Sequence, residues 1–160
     1  METPKNTDTK SMALSGISAV GSLMNFYCAY AGPMLVGAMS PPSYYLNFVL
    51  FTFGAYGAGF LLAPAFLMGM NFSKSPDKYH IFLARMVGYI MCVMVYVIYS
   101  LSTAMAFKVA AITSGGVGLL GPTFAGLYLE AKQTPAEHMP AHIIFIVGGT
   151  LGFLATVTSF

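Results

Sequence analysis

The chain has 160 residues, of which 57% are hydrophobic and 8% are charged, and its formal net charge is +2. A soluble domain normally carries about 25% charged residues, so this composition excludes a water-covered surface. The small net charge also excludes a nucleic-acid partner, which requires clustered basic residues. We therefore expect an all-α, polytopic membrane helix bundle. It comprises a polar N-terminal tail over residues 1–11 and a single transmembrane helical domain over residues 12–160.

Uncharged stretches predict where the helices cross the membrane. Residues 11–73 carry no charge and hold two helices, at about 20 apolar residues per crossing. The sequence "SPPSYY" at 40–45 separates these two helices, because paired prolines end a helix. Each later uncharged stretch holds one helix. The five predicted transmembrane helices cover residues 13–38, 45–70, 79–103, 108–129 and 140–159.

The first of these segments leaves two alternatives open. Residues 12–38 are rich in Ser and Gly and form either a retained helix or a secretory signal that ends at "AYA", residues 29–31. Four helices cross if this segment does not. With five crossings, Lys108 is the one lysine on the far side of the membrane. This bias predicts an N-terminus on the cytoplasmic, matrix or stromal side, in a cellular, inner-organelle or thylakoid-type membrane.

The third predicted helix carries a polar stripe of Arg85, Tyr89, Tyr96 and Tyr99, which lie within about 40° of one line at 100° per residue. Hydroxyl groups in hydrocarbon need partners, so we expect the stripe to face other helices or a wet cavity. Arg85 either snorkels to the interface or pairs with a carboxylate, or it binds an anion or lipid headgroup together with Tyr89. The carboxylate partners within reach are Asp77, Glu130 and Glu137. The opposite face is predicted to contact lipid and consists of Val87, Met91, Met94 and Ile98.

Small residues recur in three of the predicted helices, in "FGAYGAGF" (53–60), "TSGGVGLLGP" (113–122) and "VGGTLG" (147–152). Small side chains let helix backbones approach closely where no hydrophobic effect drives association. We expect Pro64 to kink its helix. The residues predicted to mediate helix packing are Gly54, Ala58, Gly115, Gly116, Gly148, Gly149 and Gly152.

Two histidines stand at the start of predicted helices, His80 in the third and His142 in the fifth. One imidazole suffices as the axial ligand of a haem or chlorophyll, although interfacial histidines also snorkel without a ligand. No motif for a metal or another cofactor is evident, and a bound lipid or a pigment (chlorophyll or carotenoid) is compatible with the aromatic, apolar surface. No predicted helix contains a carboxylate, which argues against an ion-coupled pump. Cys28 and Cys92 are expected to be free thiols.

Three stretches share a pattern with known membrane proteins. "FGAYGAGFLLAPAFLMGM" is a Gly-containing helix with a proline after "LLA", "LARMVGY" opens the next helix, and "HIIFIVGGTLGFLA" closes the chain. Residues 47–160 thereby resemble the DoxX-like group of small four-helix membrane proteins. The resemblance implies a similar topology and a link to quinone-associated membrane complexes. It carries over no functional residue, because the shared features are compositional.

Three functions follow as hypotheses. The first is a non-catalytic accessory or structural subunit of a larger complex in a respiratory or photosynthetic membrane, with other subunits and lipids as partners. The alternative is a stand-alone carrier of DoxX-like type for a small solute, lipid or quinone, with the polar stripe lining its cavity. The third is a membrane enzyme or redox carrier that uses His80 or His142. The sequence favours a non-catalytic protein, because it contains no catalytic constellation.

Overall fold

The computed structural model describes residues 9–36, 43–72, 74–128 and 139–158. These residues form six helices and no strand, which confirms the all-α prediction. The helices are α1 (Thr9–Val36), α2 (Ser43–Leu62), α3 (Pro64–Asn71), α4 (Lys78–Ser100), α5 (Thr103–Tyr128) and α6 (Met139–Val157).

Three helices in the described ranges are long and apolar enough to cross a membrane, which is compatible with an integral membrane protein. These segments are Tyr45–Leu62, Lys78–Ser100 and Thr103–Leu120, and a shorter apolar helix covers His142–Val157. The 23 residues of α4 extend about 33 Å at 1.5 Å per residue, close to the ~30 Å hydrocarbon core of a bilayer. Helix α1 is longer, but polar residues such as Ser22 and Asn25 dilute its apolar content.

The predicted second crossing is divided at Pro64, where we expected a kink. Helix α2 ends at Leu62, and α3 begins at Pro64, the first helical position, where a missing N–H is tolerated. The hydrogen bond from Ala63 N to Gly59 O (2.7 Å) and that from Leu67 N to Ala63 O (3.2 Å) continue the backbone pairing on either side of the break. The backbone hydrogen bonds therefore continue almost without interruption from α2 into α3.

Helices α1 and α6 run parallel at close contact. A Cβ on Gly21 would lie 2.7 Å from Phe145 O, and a Cβ on Gly149 would meet the backbone of Gly21. Further along both helices, Cys28 Sγ is 4.0 Å from Thr156 Oγ1. Residue numbers thus rise together along the pair. Only glycine permits this backbone approach, because any side chain would push the helices apart.

Helix α1 also packs along α5, in the opposite direction. Gly118 of α5 contacts Ser22, a Cβ on Gly115 would lie 2.9 Å from Asn25 Cβ, and Gly32 contacts the ring of Phe107. The contacts on α5 therefore move backwards as α1 advances. Helices α1, α5 and α6 form one part of the bundle.

Helices α2 and α4 form the second part, and they cross antiparallel at a pair of glycines. A Cβ on Gly88 would lie 2.7 Å from Gly57 O, and a Cβ on Gly57 would lie 3.1 Å from Gly88 O. Helix α2 joins the two parts, because Tyr45 and Phe48 reach the α6 glycines Gly152 and Gly148. A common apolar core follows, built around Tyr45, Val49, Phe53, Ile98, Phe107, Ala110 and Ala111.

Candidate functional site

The polar stripe of α4 lies on the outside of the bundle. Arg85 is exposed, and the exposed fractions of Tyr89, Tyr96 and Tyr99 are 57%, 71% and 79%. The stripe therefore does not line an interior cavity formed by the described helices. Cys92, which falls within the angular range of the stripe, is half-buried and is a free thiol, like Cys28.

The face of α4 that we predicted to contact lipid turns inward instead. Ile98 is buried in the core, and Met91 and Met94 pack against it, whereas Val87 is exposed. Periodicity identifies which residues share a helix face, but lipid and protein interior are both apolar, so it does not tell which face turns outward. The lipid-face prediction is wrong for these three residues.

The outward hydroxyls of α4 have no hydrogen-bond partner in the part of the chain that the structure describes. In that part, the one hydrogen bond near them joins Ser100 Oγ to the backbone carbonyl of Tyr96. Apolar lipid tails cannot accept a hydrogen bond, and an unsatisfied hydroxyl in hydrocarbon is costly. The stripe is therefore a row of exposed tyrosine hydroxyls that the described residues do not satisfy.

Asp77, one of the carboxylates considered for Arg85, is occupied elsewhere. It caps α4, and its Oδ1 accepts hydrogen bonds from His80 N (3.0 Å) and Tyr79 N (2.8 Å). The imidazole Nδ1 of His80 is 2.8 Å from the same oxygen. These contacts lower the pKa of the Asp77 carboxyl. The hydrogen bond from the His80 N–H has the largest effect, and the contact with the His80 imidazole has the next largest. Glu130 and Glu137 lie outside the described residues.

A buried polar cluster joins three helices inside the bundle. Asn25 of α1 accepts two hydrogen bonds at Oδ1, one from Tyr45 Oη of α2 and one from Ser114 Oγ of α5, each 2.7 Å long. The Asn25 Nδ2 donates to Gly21 O at 2.9 Å. All three polar side chains are buried.

This cluster satisfies its own hydroxyl hydrogens, because Tyr45 and Ser114 both donate to the same amide oxygen. The ring of Tyr45 is held by Phe107, whose ring centroid is 5.0 Å away, and by Gly152, where a Cβ would lie 2.8 Å from Tyr45 Cε2. A buried network in which both hydroxyls are paired with the same amide oxygen fixes the positions of the helices that supply it. We assign it a structural role.

Asn25, Tyr45 and Ser114 were not among the functional residues predicted from the sequence. Asn25 carried a usable signal, since an amide in the middle of an apolar helix requires a partner. Its two partners are set by the tertiary arrangement, and no local pattern distinguishes Tyr45 from the tyrosines that the structure places outside.

Of the seven residues predicted to mediate helix packing, some lie against another helix and the others do not. Four lie against another helix: a Cβ on Gly115, Gly148 or Gly152 would be within about 3 Å of a neighbouring side chain, and one on Gly149 would meet backbone. Gly54 and Gly116 have no such atom within 4 Å, and Ala58 is exposed. The crossing glycines that were not singled out are Gly21, Gly57, Gly88 and Gly118.

The two histidines lie in different environments. His80 is half-exposed at the start of α4 beside Asp77, and His142 of α6 is fully buried. A haem or chlorophyll binds a histidine through an accessible imidazole nitrogen. The helices around His142 would therefore have to separate before His142 could act as such a ligand. In the described ranges, no three His, Cys, Asp or Glu side chains are grouped as a metal site.

Comparison of the chain with protein families, curated proteins and solved structures finds no match.

Proposed function

We propose that this protein is a non-catalytic accessory subunit of a larger membrane complex, and that it docks through the outer face of α4. One observation carries the proposal: α4 presents Tyr89 and Tyr96 outward, more than half exposed, and the described chain offers their hydroxyls no partner. A respiratory or photosynthetic membrane is the setting that this proposal favours, because large complexes there recruit small helical subunits.

The depth of Tyr89 supports a protein neighbour. Tyr89 is the midpoint of α4, which runs from Lys78 to Ser100, so it stands about 16 Å from either helix end. An interfacial tyrosine is normally hydrated, but water does not reach the middle of a lipid-facing helix. A polar or aromatic residue of another subunit's helix supplies both a hydrogen-bond partner and a packing surface.

We also propose that five segments cross the membrane, as α1, α2 with α3, α4, α5 and α6. The contacts support an alternating path: α1 is parallel to α6 and antiparallel to α5, and α2 is antiparallel to α4 and α6. A chain that crosses five times gives those relative directions. The N-terminus is then on the cytoplasmic, matrix or stromal side, with most lysines.

The alternative is a stand-alone carrier of DoxX-like type for a small solute, lipid or quinone, with the resemblance of residues 47–160 behind it. Such a carrier requires a polar path or cavity among the helices. The interior instead holds the satisfied cluster of Asn25, Tyr45 and Ser114, and the predicted lining residues Tyr96 and Tyr99 are on the outside. These observations favour the accessory subunit.

The test is the size of the native particle together with a substitution on α4. The full chain is extracted from its own membranes in mild detergent and run on a native gel, where we expect it to migrate with a large assembly. The double variant Tyr89→Phe with Tyr96→Phe keeps both rings and removes both hydroxyls. We expect it to dissociate from the assembly on further detergent exposure, because two interhelical hydrogen bonds contribute about 1–2 kcal/mol together.

Tyr79→Phe is the control on the same helix, because Tyr79 is also more than half exposed but lies in the first turn of α4, where water at the interface satisfies its hydroxyl. The control should stay with the assembly. A wild-type chain that migrates as a small particle in every mild detergent would refute the subunit proposal, as would equal retention of the Tyr89/Tyr96 double variant and the Tyr79→Phe control. A visible absorption band that His80→Ala or His142→Ala removes would instead favour a pigment or haem protein.

A further inference from the structure

We propose that Lys78, Phe82 and Arg85 form a binding site for the phosphate group of an anionic phospholipid, at the end of α4 that follows α3. The proposal does not rest on the subunit contact, because that contact is assigned to Tyr89 and Tyr96. The site lies on the same helix but closer to its N-terminus: Arg85 is four residues, about one turn, before Tyr89.

The three residues form a single ridge. They are spaced four and then three positions apart on α4, which places their side chains above one another on one face of the helix. All three are exposed, Phe82 to 61%. The Lys78 Nζ lies 5.2 Å from the centroid of the Tyr79 ring, a cation–π contact that holds the ammonium group at this surface.

Arg85 carries a charge that the described chain does not balance. Asp77 Oδ1 accepts hydrogen bonds in the first turn of α4 and lies 2.8 Å from His80 Nδ1, and within the described residues no carboxylate is found within ion-pair distance of Arg85. Arg85 stands seven residues into α4, about 10 Å from Lys78. A guanidinium at this depth reaches back toward the headgroups and requires an anion there.

A phospholipid phosphate meets this requirement. It binds a guanidinium through two parallel hydrogen bonds, and the ammonium of Lys78 lies on its outer side. The apolar neighbours Phe82, Leu83 and Met86 are exposed beside the two cations and match an acyl chain. Inorganic phosphate would use the cations but not the apolar surface, so the geometry points to the lipid as the source of the phosphate.

Thermal unfolding of the full chain in detergent micelles tests the site. The protein is titrated with dioleoyl phosphatidylglycerol, with phosphatidylcholine of the same acyl chains, and with inorganic phosphate. We expect the anionic lipid to raise Tm at lower concentration than the zwitterionic lipid, since a ligand that binds the folded state stabilises it. Inorganic phosphate should have little effect.

Four variants locate the effect. Arg85→Gln should weaken the apparent affinity for phosphatidylglycerol about tenfold, the loss expected for a charge-assisted hydrogen bond. Arg85→Lys, which keeps the charge but not the fork of donors, should lose less. Lys108→Gln removes a charge from α5, at the other end of the α4–α5 hairpin, and should bind as wild type does. If Arg85→Gln does not fold, Lys78→Gln takes its place, with a loss of severalfold expected.

Three results would overturn the proposal: equal effects of the two lipids on the wild type, an unchanged lipid preference in both Arg85→Gln and Lys78→Gln, or a full effect of inorganic phosphate. The last result would mean a free-anion site rather than a lipid site.

Discussion

Deletion of one oxygen from the buried cluster measures how strongly it holds α1, α2 and α5 together. Tyr45→Phe removes the hydroxyl that donates to Asn25 Oδ1 over 2.7 Å and leaves the ring against Phe107. Asn25 keeps its second donor, Ser114, so no buried group is left without a partner. The variant therefore isolates a single interhelical hydrogen bond.

The expected cost is small but measurable. Interhelical hydrogen bonds in a membrane protein contribute about 0.6 kcal/mol on average and at most about 1.7 kcal/mol, and this short, fully buried bond belongs in the upper half of that range. Asn25→Ala removes both bonds to Oδ1. It should therefore cost about 2–3 kcal/mol before any packing loss, because Tyr45 and Ser114, 3.3 Å apart, recover only part of the energy by bonding to each other.

Reversible unfolding in mixed micelles gives the free energy of unfolding of each variant. The double variant of Asn25→Ala and Tyr45→Phe should cost at least about 0.5 kcal/mol less than the sum of the two single variants, since contacting residues are coupled. Tyr30→Phe, an exposed tyrosine on α1, is the matched control and should change stability by less than about 0.5 kcal/mol. Strict additivity, or a Tyr45→Phe cost equal to that of the control, would refute a structural role for the cluster.

Two further predictions concern the α2–α4 crossing and the start of α4. Gly88→Ala would place a Cβ 2.7 Å from Gly57 O, so it should reduce the free energy of unfolding by about 1–3 kcal/mol. Gly116→Ala, with no atom within 4 Å, should be neutral or stabilising by up to about 1 kcal/mol, and a reversed order would contradict the crossing. Because the pKa of Asp77 is lowered in the folded protein, its contribution is present above the unfolded pKa of about 3.9 and is lost as the pH falls through the folded value. The hydrogen-exchange protection factors in the first turn of α4, taken relative to the intrinsic rate at each pH, should therefore fall below about pH 4, whereas those of Asp77→Asn should show no such fall.

The composition predicted that the protein is helical, and the spacing of charged residues predicted where its helices lie. The third predicted helix, residues 79–103, corresponds to α4, Lys78–Ser100, because Asp77 and Lys78 mark its start. The predicted helix 45–70 corresponds to α2 and α3 together, divided at Pro64. Lack of charge does not separate a kinked helix from two helices, since that depends on how the backbone hydrogen bonds resume after the proline.

The sequence did not predict which face of each helix turns outward. In water, the polar face of a helix turns outward, but this rule fails where the solvent is as apolar as the core. The predicted stripe of α4 was expected to face other helices or a cavity, yet its tyrosines are exposed, and Met91 and Ile98 lie on the side that packs inward. Likewise, Gly57 and Gly54 look alike in sequence, and only the crossing with Gly88 separates them.

The long sequence distance within the cluster affects how the chain is made. Asn25 and Ser114 are 89 positions apart, and ribosomes add about 5–20 residues per second, so α1 waits roughly 4–18 s for its partner on α5 to be synthesised. Until then, Asn25 lacks the Ser114 hydroxyl that later donates to its amide oxygen. The three-helix cluster is therefore completed late in synthesis, when α5 joins α1 and α2.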